Sequence, residues 1–282
     1  MPRPARLRRL AFTLIAWLGI GAGLSAVGRA DLPDPMRVDS KDAYILHVPG
    51  IAGEAGIDHF LIGGLKDGGF KGKAEIYDWT GDEKGLKALM NRRRADEEAA
   101  KVAEKVIAFR KANPKGQIML TGHSAGTGVI IFALEKLPKD VKVDGALLLS
   151  PALSPDYDLS SALSHVTGRV YVFSSTLDYF VLGLGTKLFG TIDRKNGDSA
   201  GRVGFIQPAN AADPKQYEKL VSCPYEKGWL KFGNIGDHVS VMSRTFSRHI
   251  LSPLVLSHLP GGGLPLTRPV TPEPTPTTKP SE

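Results

Sequence analysis

The stretch QIMLTGHSAGTGVIIFAL, residues 117–134, places Ser124 between two apolar runs of different character. The first run is short and rich in β-forming residues, whereas the second has the length and composition of a helix. Ser124 is therefore expected at a sharp strand-to-helix turn, which strains the serine backbone. Gly122 and Gly126 remove side chains that would collide with the strand and the helix. This arrangement exposes the serine Oγ at the carboxyl edge of a sheet, and the N–H groups that begin the helix point toward developing negative charge.

Strand-like runs alternate with helical patterns on both sides of this turn. The strand-like runs are residues 43–48, 74–79, 117–122, 145–150 and 169–175. Residues 83–114 have helical periodicity, with Val102, Val106 and Phe109 on one side and charged residues on the other. Continuous apolar strands are typical of a parallel sheet covered on both faces, and the alternation implies right-handed crossovers. The sequence predicts a doubly wound α/β fold with a mostly parallel sheet and helices on both faces.

The two ends of the chain differ from this pattern. Residues 1–30 combine an arginine-rich start, an uncharged run over 10–27 and small residues before a cleavage point, as in a secretory signal peptide. A retained signal anchor is the alternative, because an apolar run of about 18 residues is just long enough to span a membrane. Cleavage would leave a secreted or periplasmic protein without a stable membrane span. Residues 260–282 are rich in Pro and Thr and predict a disordered tail, so the folded domain is expected over 31–259.

The composition is that of one globular domain, with 42% hydrophobic and 23% charged residues. Five of the seven net positive charges are arginines of the leader, so the charge does not indicate a nucleic-acid partner. Cys223 is the only cysteine, which excludes an intramolecular disulfide, and no chemistry is assigned to it. The sequence has no histidine or cysteine motif with the spacing of metal ligands and no phosphate-loop motif, so neither a metal nor another cofactor is predicted.

The segment GHSAG on a strand–turn–helix resembles the nucleophile elbow of the α/β-hydrolase family, and the resemblance extends over most of residues 42–250. It implies a catalytic serine, acid and histidine in that chain order. Ser124, Asp178 just beyond a strand, and His238 in NIGDHVSVM fit this order. Together they would let an imidazole take the serine proton during attack while a carboxylate orients the imidazole.

Two parts of this interpretation have alternatives. Asp156 and Asp158, in SPDYDLSS, are alternative candidates to Asp178 for the acid. Within YILHVPGIAG, residues 44–53, the segment that begins at His47 resembles the family's oxyanion loop, which implies backbone N–H donors at Ile51 and Ala125, with Gly50 as an alternative to Ile51.

Function follows from the same resemblance, which implies a lipase-like or esterase-like enzyme acting on a small-molecule or lipid ester. The apolar segment after the predicted acid is expected to line an acyl pocket or to pack as an ordinary helix, and its candidate substrate-binding residues are Phe180, Leu182, Leu184 and Phe189. A thioesterase or acyltransferase would use the same triad. A noncatalytic binding protein that keeps the elbow without a working base is the competing class.

Overall fold

The computed structural model describes residues 40–178 and 191–259 of the 282-residue chain. The strands of the described residues are β1 (Tyr44–Val48), β2 (Lys73–Ile76), β3 (Ile118–His123), β4 (Gly145–Leu149), β5 (Val170–Ser174) and β6 (Leu220–Pro224). They form one sheet in the order β2-β1-β3-β4-β5-β6, and every neighbouring pair is parallel. The carboxyl ends of all six strands therefore lie at the same edge, where ligand sites of open α/β sheets form.

Helices connect these strands. They are α1 (Gly56–Asp67), α2 (Leu86–Met90), α3 (Arg92–Ala112), α4 (Ala125–Glu135), α5 (Ser160–Ser164), α6 (Ala200–Val203), α7 (Arg244–Phe246) and α8 (Ser252–Ser257). Short 3-10 segments cover Pro214–Lys219, Lys227–Phe232 and Ser240–Met242, and a π-helical turn, Ser247–Leu251, joins α7 to α8. Among the residues that the structure describes, no helix is both long and apolar enough to cross a membrane.

The sheet is covered on both faces because alternate residues of each strand point to opposite sides. Leu46, Leu120 and Leu148 belong to a buried cluster with α3, α4 and α5. Their chain neighbours Ile45 and Leu147 belong to a second cluster with α1, α7 and α8. The predicted fold, a mostly parallel sheet with helices on both faces, is confirmed.

Two local predictions differ from the structure. The helix expected over 83–114 is divided at Asn91, whose side-chain oxygen accepts a hydrogen bond from Arg94 N at 3.0 Å and so caps α3. Strand β6 had no counterpart in the sequence pattern. Within the described residues it is an edge strand that pairs with β5 alone; Leu220 and Val221 are buried, but the strand lacks the continuous apolar run of the central strands.

Substitutions at two glycines of α1 would test how closely this helix packs against the C-terminal helices. A Cβ on Gly64 would overlap the Arg244 carbonyl oxygen and lie 2.6 Å from Ser247 Cβ, whereas a Cβ on Gly56 would meet no atom within 4 Å. We expect Gly64→Ala to lower the free energy of unfolding by about 1–3 kcal/mol. Gly56→Ala is the control and should be neutral or stabilising by up to about 1 kcal/mol. Urea unfolding measures both, and equal effects would contradict the packing.

Candidate active site

Ser124 occupies the turn between β3 and α4 with φ 51° and ψ −124°, a conformation that residues other than glycine rarely adopt. Its N–H donates to the carbonyl of Leu149, 2.9 Å away, and its own carbonyl accepts from Ala152 N at 3.2 Å. Both partners belong to β4 or the loop that follows it. The neighbouring strand therefore holds the strained serine backbone in place.

The glycines on each side of Ser124 are required by close approaches. A Cβ on Gly126 would overlap the carbonyl oxygens of Val48 and Pro49, and a Cβ on Gly122 would lie 2.9 Å from Thr127 N. Without Gly126, α4 could not begin directly against the loop that follows β1, and without Gly122 it could not pack directly against the end of β3. The G-x-S-x-G spacing is thus a packing requirement of the turn, as expected from the sequence.

His238 and Asp178 meet at the same edge of the sheet. His238 Nδ1 lies 2.6 Å from Asp178 Oδ2, and both side chains are buried. Because a carboxylate only accepts hydrogen bonds, Nδ1 carries the proton, and Nε2 of the neutral ring is left with a lone pair that can accept a proton. The carbonyl of His238 lies 2.9 Å from Nε2 of His123, the residue that precedes Ser124. The structure therefore brings the predicted acid and histidine together beside the elbow.

The two alternative acids are engaged elsewhere. Asp156 pairs with Lys195 Nζ at 3.1 Å, and both side chains are largely exposed. Asp158 accepts from Ser160 N at 2.9 Å and from Ala212 N at 2.9 Å, so it fixes the loop before α5. Of the three candidate aspartates, Asp178 is the one bonded to His238.

The loop after β1 packs beside the elbow and is held by two hydrogen bonds. The buried indole N–H of Trp79 donates to Pro49 O at 2.9 Å, and Gly85 N donates to Ile51 O at 2.7 Å. A Cβ on Gly50 would lie 3.3 Å from Ser124 Cβ, which places this loop beside the serine. Ala125 begins α4, so its N–H is one of the four that have no acceptor within the helix.

A buried polar network lies next to this loop at the end of β1. The sequence analysis did not predict it. His47 Nδ1 lies 2.8 Å from Thr121 Oγ1, and His47 Nε2 lies 2.8 Å from Asp58 Oδ1. The other carboxylate oxygen of Asp58 accepts from Ala55 N at 2.8 Å. The carboxylate requires a proton on Nε2, so Nδ1 accepts from the threonine hydroxyl. The network ties the end of β1 to β3 and to the start of α1; the partners are up to 74 residues apart, and no local sequence signal links them.

The predicted substrate-binding residues are not among those that the structure describes. Phe180, Leu182, Leu184 and Phe189 lie outside the described residues. Burial raises the pKa of the Cys223 thiol to about 12, so it stays protonated near neutral pH. No group of three or more His, Cys, Asp or Glu side chains within 40–178 and 191–259 is arranged to hold a metal ion.

The parallel strand order, the serine elbow directly after β3, and an acid and a histidine after later strands are the defining elements of one known architecture. The chain has an α/β-hydrolase fold. Its elbow and its strand order carry this assignment.

Comparison with known proteins finds only low similarity. No protein-family model matches the chain, and no curated protein matches it. A cutinase-like protein from Cryptococcus sp. is 14% identical, with 80% of this chain and 98% of that chain covered and a TM-score of 0.45. A lipase-esterase related protein from Clostridium acetobutylicum is 13% identical, with 76% and 93% covered and a TM-score of 0.43. An acetylxylan esterase is 12% identical, with 78% and 97% covered and a TM-score of 0.41.

Removal of the Asp58 carboxylate tests the buried network. Asp58→Ala leaves the buried His47 ring N–H and the partly buried Ala55 N–H without their acceptor, and we expect the free energy of unfolding to fall by about 2–4 kcal/mol. Asp67→Ala is the matched control on the same helix, because Asp67 forms an exposed ion pair with Arg244 at 2.6 Å. Its effect in urea unfolding should be far smaller. A loss in Asp58→Ala as small as that expected for the exposed pair would contradict a stabilising role of the network.

Proposed function

We propose that this protein is a secreted or periplasmic serine hydrolase that cleaves carboxylic esters. In this proposal Ser124 is the nucleophile, His238 the general base and Asp178 the acid that orients it. The observation that carries the proposal is the 2.6 Å hydrogen bond between His238 and Asp178, next to a serine held at φ 51°. A buried histidine–carboxylate pair beside a strained serine is the arrangement that nucleophilic serine catalysis needs.

The proposed reaction uses these groups in turn. His238 Nε2 takes the proton of Ser124 Oγ as the oxygen attacks the ester carbonyl carbon, and Asp178 stabilises the resulting imidazolium. The carbonyl oxygen becomes negative and accepts from the backbone N–H groups of Ile51 and Ala125, each contributing on the order of 3 kcal/mol. His238 then gives its proton to the leaving alcohol. A water molecule then attacks the acyl-enzyme in the same way, and the carboxylic acid product leaves as Ser124 is regenerated.

The substrate in this proposal is a small-molecule or lipid ester. Phe180, Leu182, Leu184 and Phe189 follow the acid in the chain and supply apolar side chains for an acyl pocket. The predicted leader over 1–30 supports export, and no nucleic-acid partner or cofactor enters the mechanism. Thioester hydrolysis or acyl transfer would use the same serine chemistry.

An activity-based probe tests the nucleophile directly. The folded domain is treated with a fluorophosphonate, which reacts with activated serines, and the adduct is located by mass spectrometry. We expect labelling at Ser124 in the unchanged protein. Ser124→Ala removes the attacking oxygen and His238→Ala removes its base, so each should abolish the adduct.

The controls separate chemistry from folding. Far-ultraviolet circular dichroism and thermal melting should show that both variants remain folded. An unlabelled, well-folded unchanged protein would overturn the proposal and favour a binding protein that keeps the elbow without its chemistry. Labelling of Ser124 that persists in His238→Ala would show that His238 is not the base.

A second experiment tests the identity of the acid. Asp178→Asn preserves shape but favours the wrong histidine tautomer, so kcat/KM for a short aryl ester should fall by about 10⁴-fold. Asp156→Asn is the control, because Asp156 pairs with an exposed lysine, and it should stay within about threefold of the unchanged protein. A large loss in Asp156→Asn together with a small loss in Asp178→Asn would reverse the assignment.

A further inference from the structure

His123 is a buried histidine that the proposed mechanism does not use. It is the last residue of β3, directly before Ser124. Its Nε2 lies 2.9 Å from the carbonyl oxygen of His238, and the two ring centroids are 4.7 Å apart. On the other side of the ring, a Cβ on Gly50 would lie 3.2 Å from His123 Nδ1. One imidazole therefore contacts the serine elbow, the loop after β1 and the loop that carries the base.

The hydrogen bond to a carbonyl assigns the protons of this ring. A carbonyl oxygen only accepts, so His123 Nε2 carries the hydrogen. Burial, followed by the nearby His238, lowers the pKa of His123 to about 3. The other ionisable groups that act on it are His47, which lowers the pKa, and Asp58, which raises it. His123 therefore stays neutral, and His238 can gain a proton without a second positive charge beside it.

The loop that carries His238 has few other ties to the sheet. It includes Gly233 and Gly236, both with positive φ, and the exposed side chains of Ile235 and Val239. Within the described residues, the other hydrogen bonds of residues 233–239 stay inside 229–242, except for the bond from His238 to Asp178. The bond from His123 is thus the tie between the backbone of this loop and the central strand.

We propose that His123 is a positioning residue: its Nε2–H holds the backbone of His238 so that the imidazole of His238 is directed at Ser124. This inference rests on the proposed function. A backbone anchor matters because the carboxylate of Asp178 orients the ring but leaves the main chain free to shift, and a displacement of about 1 Å can cost about 100-fold in rate. The nucleophile and its base are thereby linked, because His123 directly precedes Ser124 in the chain.

The test compares two substitutions that differ in the donor. His123→Gln places an amide N–H near the position of Nε2 and keeps the bond to the carbonyl, whereas His123→Phe keeps a ring but has no donor. We expect kcat for a short aryl ester to fall by about 10- to 100-fold in His123→Phe, with KM within about twofold, because the base is displaced and the substrate surface is unchanged. His123→Gln should recover most of this loss. His123→Met provides a donor-free side chain of flexible shape if the phenylalanine variant does not fold.

Hydrogen exchange gives a readout that does not depend on activity. Amides within 234–240 should exchange about tenfold faster in the donor-free variant and at the unchanged rate in His123→Gln, because the anchor to the strand is lost only in the former. Unchanged kcat and exchange in His123→Phe would overturn the inference, as would an equal loss in both variants. If the unchanged protein does not react with a fluorophosphonate, the proposed function fails, and the exchange rates alone then decide whether His123 anchors this loop.

Discussion

The left-handed backbone of Ser124 is the constraint on which the rest of the site depends. A non-glycine residue in this region costs on the order of 1–3 kcal/mol, and it persists only where its surroundings hold it. Here Leu149 accepts from the serine N–H, and Ala152 donates to the serine carbonyl. The turn brings the start of α4 so close to the carbonyls of Val48 and Pro49 that only glycine fits at position 126. The loop after β1 is thereby seated next to the serine.

Polar groups in an otherwise apolar interior organise this edge of the sheet. His47 joins three elements below the loop, and His123 joins three elements beside the serine. A buried polar group without a partner destabilises a protein by about 1–3 kcal/mol, so each of these rings specifies one arrangement of its neighbours. The proposed base, His238, is held in the same manner, through its ring by Asp178 and through its backbone by His123. Three histidines thus connect the loops at this edge to neighbouring elements of the fold.

The predictable parts of the molecule are those governed by local rules. The elbow over 117–134 combines turn chemistry with a change of periodicity, and the structure has β3, Ser124 and α4 at these positions. Strand β6 escaped prediction because an edge strand needs no continuous apolar run. The break at Asn91 escaped it because helical periodicity continues through 83–114, while the capping bond to Arg94 depends on a single side chain. The polar partners of His47 could not be predicted, since Thr121 is 74 residues away along the chain.

By itself the sequence determined the layered α/β architecture and the position of the strained serine, because apolar periodicity and turn residues act over a few positions. It ordered Ser124, Asp178 and His238 along the chain but left Asp156 and Asp158 open as acids. Only the tertiary structure shows which of these aspartates contacts His238, since the parallel register brings the ends of distant strands to one edge, and Asp178 is 60 residues away from His238. The role proposed for His123 likewise depends on a contact across 115 residues, which no local pattern specifies.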